Sequence, residues 1–127
     1  MLLTIVQSEH DKRFGGFRGF KLDQGEDKWY SEDKAFIFSL SNRSKHEILD
    51  KTKVYYNHAS NKGEFAQFND FVLYNQCDKN NSSYARLGYS YKCPEGIIKD
   101  TIHSKFYLSG SYNYKVKEIE GFKVTFI

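Results

Sequence analysis

From Tyr112 the chain alternates by twos through Tyr114 and Val116, places Glu118 and Glu120 where apolar residues are due, and resumes with Phe122, Val124 and Phe126. Successive side chains of a β-strand point to opposite faces, so an unbroken strand would set two carboxylates on an otherwise apolar face. Burying an unpaired carboxylate costs several kcal/mol. Two solutions follow. Either the strand bulges near Ile119 and turns both glutamates outward, or the glutamates mark a place where the fold opens. In the plainest case this is a bulge or sheet end whose acids are met by neighbouring Lys or Arg.

Short apolar runs separated by turn formers fill the rest of the chain. Residues 2–8 read as a strand, 9–12 as its turn, and 13–20 as a return strand containing Gly15, Gly16 and Gly19. These glycines mark a bend or close backbone approach. A phosphate loop would need a following helix, and the Walker type a Gly-Lys-Ser/Thr ending. Residues 21–33 are polar and charged, a surface loop whose Trp29 and Tyr30 fold back on the sheet. The run 35–40 suits a strand covered on both faces, 41–45 a turn, and 53–58 another strand. A loop over 57–69 leads to a strand at 70–74 and turn formers at 78–83. In 84–91, Ala85, Leu87, Tyr89 and Tyr91 share one face; 98–108 reads as a short helix or irregular segment. No amphipathic helix of three turns is evident, and the pattern predicts a mainly all-β fold: a two-sheet antiparallel β-sandwich with one or two short helices.

A chain of 127 residues forms a single domain that buries roughly two-thirds of its unfolded surface. Its aromatic fraction of 17% is spread along the whole length, as suits half-buried pleated surfaces. The net charge of +3 comes from 19 basic and 16 acidic residues that are interspersed, which argues against a dedicated nucleic-acid surface. No apolar run is long enough to span a bilayer, and the start lacks the basic and apolar regions of a secretion signal. The expectation is a soluble, intracellular, most simply cytoplasmic protein without membrane insertion. Cys77 and Cys93 lack a Cys-x-x-Cys spacing and accompanying histidines, so free thiols and no metal or cofactor are expected.

Four blocks carry a family resemblance: Phe14-Gly15-Gly16-Phe17; residues 35–40; Asn81 to Tyr84 with Leu87-Gly88; and the run from Gly110 to Glu120 that ends in Lys117-Glu118-Ile119-Glu120. In this order they resemble the TLDc domain over nearly all of residues 1–127. The resemblance implies a two-sheet antiparallel sandwich with short flanking helices. It also implies a role in resistance to oxidative stress, and binding and regulation of the vacuolar proton pump, the V-ATPase. Gly15, Gly16, Asp70, Gly88 and Gly110 fall on its structural motif. Family members usually carry a helix and a further strand ahead of the Gly-Gly hairpin, so the chain reads as a domain lacking its amino-terminal part. That would leave an uncovered apolar face or an unpaired edge. At 63–68 relatives commonly have a glycine-richer loop before the aspartate matched by Asp70.

Glu118 and Glu120 are the leading site candidates, because two carboxylates one residue apart share a strand face and can jointly meet a cationic protein surface. Joint acid and base catalysis would need a third group, and His10, His46, His58 and His103 show no spacing that supplies one. They read as surface or loop histidines, and no catalytic residue is assigned. Cys77 and Cys93, near strand ends, are weaker redox candidates, because thiol reactivity depends on a lowered pKa and exposure. The leading expectation is a non-enzymatic protein-interaction module, a monomer or part of a longer assembly. The alternatives are a peroxide-reactive or hydrolytic enzyme using Cys77 or the two glutamates, and a truncated structural remnant.

Overall fold

A computed structural model describes residues 2–19, 28–57, 68–74 and 76–125. Strand β1 (Leu2–Ser8) and β2 (Arg13–Arg18) form the hairpin read from the sequence. Leu2, Thr4, Val6 and Ser8 point inward and are buried, while Leu3, Ile5 and Gln7 are half-exposed on the outer face. Asp11 closes the turn at φ 59°, a left-handed conformation that Asp tolerates, and the Ser8 N–H donates to the Lys12 carbonyl at 2.9 Å.

Strand β3 (Lys28–Tyr30) lies in the segment expected to be all loop. β4 (Phe36–Ser39) and β5 (Ser44–His46) extend the hairpin sheet, and β6 (Tyr55–Asn57) pairs with β3. β7 (Phe71–Val72), β8 (Ser83–Ala85) and β9 (Asn113–Tyr114) make a three-stranded sheet. β10 (Val116–Lys123) returns to flank β1, giving a five-stranded sheet in the order β10-β1-β2-β4-β5. Every paired neighbour is antiparallel. The protein is mainly β, with antiparallel sheets of five and three strands and, among the described residues, one short helix, α1 (Ile102–Phe106). Thr101 caps that helix: its side chain accepts from the Ser104 N–H at 3.3 Å, and the Ser104 hydroxyl accepts from the Thr101 N–H at 3.2 Å. No described helix is long and apolar enough to cross a membrane.

The two larger sheets meet through their aromatic side chains. Phe14 of β2 packs edge-on against Phe71 of β7 at 5.2 Å and Tyr114 of β9 at 5.7 Å between ring centroids, and Phe68 stacks on Phe71 at 4.9 Å. Val6, Ile37, Ala85 and Leu87 fill the space around them, each fully buried. Burial of a side chain the size of Phe or Leu contributes roughly 1.5–3 kcal/mol, so this layer dominates the stability of the domain. Gly16 lets the two layers approach, and Gly15 lets β2 lie close to its neighbours β1 and β4 within the larger sheet. A Cβ on Gly15 would sit 1.9 Å from the Thr4 carbonyl oxygen and 2.7 Å from the Phe38 ring, and one on Gly16 would sit 2.6 Å from the Phe68 ring. The first contact involves backbone and cannot be relieved by a side-chain turn.

Several expectations change. The run 35–40 is not covered on both faces: Ile37 and Ser39 are buried, Phe36 and Phe38 are half-exposed, and Leu40 is exposed. The alternation over 84–91 stops as a strand at Ala85, and Tyr89 is half-exposed while Leu87 and Tyr91 are buried. Most of the 57–69 loop, including His58 and the departure at 63–67, lies outside the described residues.

Candidate functional site

The break in the terminal alternation is a bulge, and it lies at Lys117 rather than near Ile119. Val116 pairs with Ser8 and Glu118 with Gln7, so two consecutive residues of β1 face three of β10 and Lys117 is the extra one. Side-chain parity reverses there. Tyr114 and Val116 face the core, whereas Glu118, Glu120 and Phe122 lie opposite Gln7, Ile5 and Leu3 on the outer face. The expected return to core at Phe122 does not occur, and its ring is 45% exposed. Lys117 reaches Asp11 at 2.9 Å, and its hydrogen bond and charge hold the Asp11 carboxyl below the usual carboxylate range.

Residues 117–123 are all exposed, because β10 is the outermost strand of the sheet. Glu118 and Glu120 border a shallow hollow of about 250 Å³ with Ile5, Gln7 and Arg13. Neither carboxylate forms an ion pair with a described residue; among the described residues the ion pair on this side of the hairpin is Lys117 with Asp11. The two acids brought together on one face are thus free to meet charge supplied from outside.

Asp70 occupies the opposite kind of environment. It is buried before β7 and accepts backbone N–H bonds from Ser90 at 2.7 Å, Tyr91 at 3.1 Å and Tyr89 at 3.4 Å. Burial pushes its carboxyl up to about 7, against the pull of these three donors and of the Arg86 charge. Asn69 extends the network, its amide donating to the Ser90 hydroxyl at 2.8 Å and its carbonyl accepting from Arg86 at 3.4 Å. The Ser90 hydroxyl in turn donates to the Lys53 carbonyl at 2.7 Å. This grip bends residues 87–91 away from the strand that their alternation suggested.

The remaining candidates are dispersed. Cys77 lies in a turn whose carbonyl accepts from the Val116 N–H at 2.8 Å, and Cys93 packs beside Gly88. Both free thiols are half-buried against the core, and burial raises the pKa of each above its usual value, so neutral pH favours the less nucleophilic thiol form. Gly88 and Gly110 adopt φ of 102° and 92° in the connections before and after α1. His46 is not a surface residue: it is 3% exposed, its Nδ1 donating to the Lys92 carbonyl at 2.9 Å with the Ser44 hydroxyl 2.9 Å from Nε2, and burial lowers its pKa. His10 lies within 3.1 Å of the Ser111 hydroxyl, and His103 is exposed on α1. Among the described residues no three His, Cys, Asp or Glu side chains gather where they could hold a metal ion.

Sequence reasoning missed an aromatic ladder across the outer side of the small sheet. Tyr84 stacks on Tyr112 at 5.6 Å, and the Arg86 guanidinium lies 3.9 Å from the Tyr89 ring centroid, with Lys99 at 4.2 Å from the same ring. The cation and tyrosine residues are all visible in the sequence, but only the fold of 84–112 brings them into register. Comparisons of the chain with family models, curated proteins and solved structures find no match.

Proposed function

We propose that the chain is a TLDc-type protein-interaction module, acting in oxidative-stress resistance by docking a protein surface through Glu118, Glu120 and the adjacent hairpin turn. Subunits of the V-ATPase are the partners that the resemblance suggests. One observation carries the docking part of this reading. Two carboxylates stand on the exposed face of an outermost strand, unpaired by any described residue, beside a shallow hollow. Exposed acids of this kind cost the fold little, and they complement a basic surface on another molecule. The resemblance in residues 14–17, 35–40, 81–84 with 87–88, and 110–120 supplies the choice of partner.

The test is affinity capture from cell lysate with the parent chain and with a Glu118→Lys, Glu120→Lys variant of matched thermal stability. Enrichment of pump subunits by the parent and its loss in the variant is the expected result. Equal recovery on both, or no enrichment on either, removes the pump assignment.

A further inference from the structure

We propose that the open edge of β10 receives an extended segment of a partner chain as an additional antiparallel strand, with Lys or Arg opposite Glu118 and Glu120. The inference rests on the docking reading above and gives it a backbone geometry. β10 is hydrogen-bonded to β1 on one side and has no described strand on the other. An edge of this kind presents a row of backbone donors and acceptors, which folds ordinarily guard by shortness, proline, charged side chains, a bulge or a covering segment. β10 is guarded by charge, and its Lys117, Glu118, Glu120 and Lys123 disfavour a like-charged strand while admitting an oppositely charged one. β10 is eight residues long and contains no proline. Its bulge is at its very start, leaving Glu118 to Lys123 in unbroken register with β1. Every residue of that stretch is exposed, including Ile119 and Phe122 at 44% and 45%.

The side chains specify what fits. On the outer face Glu118, Glu120 and Phe122 follow at two-residue spacing, and on the other face Ile119, Gly121 and Lys123 do. Directly opposed side chains of an antiparallel pair stand close enough to select one another. A complementary strand therefore carries two bases and an apolar residue on one face, and an apolar, a small and an acidic residue on the other. A second copy of this chain does not meet that description. In a continuous antiparallel sheet like faces oppose, so a twofold at residue 118, 119 or 120 sets carboxylate against carboxylate. A twofold at Gly121 sets Glu120 against Phe122 and Glu118 against Val124. None of these gives either acid a cation, so the occupant is a different chain with alternating bases.

The experiment uses the full chain and a terminally blocked, fluorescent peptide, Thr-Glu-Ile-Thr-Lys-Val-Lys-Thr, followed by anisotropy. Replacing both peptide lysines by glutamate weakens binding at least about tenfold, and the Glu118→Lys, Glu120→Lys chain restores it to the glutamate peptide. Two further peptides carry N-methyl groups on one or the other set of alternate residues. Strand addition uses one set of amides and leaves the other facing away, so one pattern loses binding by about tenfold or more while the other stays within about threefold. Equal behaviour of the two patterns, or no binding of the parent peptide at millimolar concentration, overturns the proposal. A dimer in sedimentation that the peptide dissolves assigns the edge to a second copy and also overturns it. If lysate capture depends on the glutamates while the methylation patterns behave alike, docking stands and strand addition fails. If neither experiment depends on the glutamates, both fall.

Discussion

Asp70 and the Glu118/Glu120 pair place the same functional group in opposite surroundings. Asp70 is buried and holds three backbone N–H groups, whereas the two glutamates are exposed and hold nothing among the described residues. A carboxylate committed to three internal donors organises the chain around it and, being buried, is out of a partner's reach. A carboxylate left in water contributes little to the fold and keeps its capacity for recognition. The domain thus keeps its fold-organising carboxylate in the loop ahead of β7 and its uncommitted ones at the outer edge of the larger sheet.

The most severe challenge to this contrast is truncation of each side. Asp70→Ala leaves the Ser90, Tyr91 and Tyr89 amides without their acceptor in a buried loop, and is expected to cost about 3–5 kcal/mol in urea unfolding. Glu118→Gln with Glu120→Gln is expected to change the same measurement by less than about 0.5 kcal/mol. A small loss at Asp70, or a large one at the glutamates, would break the comparison.

The pH dependence sharpens it. The folded Asp70 carboxyl titrates at about 7 against a reference of 3.8, so the native state holds this proton more tightly than the unfolded chain. Its contribution is complete below the reference pKa and is lost as pH rises through about 7. Measured against Asp70→Asn, which has no titrating group at this position, the parent is therefore expected to lose on the order of 2–4 kcal/mol between pH 4 and pH 7.5. A flat difference across that window would show that the three amides hold the carboxylate ionised throughout.

What could be read from sequence follows the range of the interactions. The β1–β2 hairpin was legible because its alternation and its turn are local, and the two glycines were legible as sites of close approach because the strand has no other use for them. β3 was not legible: residues 28–30 are too few to show a period, and they form a strand because residues 55–57 pair with them. His46 looked like a loop residue because the Lys92 carbonyl that its ring meets lies 46 residues away along the chain. Asp70 overrides a good alternation in 84–91 from a distance of about twenty residues along the chain, which no local pattern records. The shared face of the two glutamates was legible from their spacing, but the sequence shows only that parity breaks between Val116 and Glu118.

Parity is also where the smallest and most diagnostic effect lies. If Lys117 is the extra residue, deleting it removes the bulge and joins Val116 directly to Glu118, which a regular strand places on opposite faces as they are now. The deletion is therefore expected to keep the register from Glu118 to Lys123 and to change stability by no more than about 1 kcal/mol. It also removes the Lys117–Asp11 contact, so Asp11 returns toward the ordinary carboxylate range, which NMR titration of the side chain detects. In the deletion variant, cross-strand backbone NOEs should still pair Glu118 with Gln7 and Glu120 with Ile5. NOEs that pair Glu118 with Val6 or Ser8 instead would mean that the strand had slipped by one residue and turned the 118 side chain to the inner face, and that the outward carboxylates are not set by the bulge.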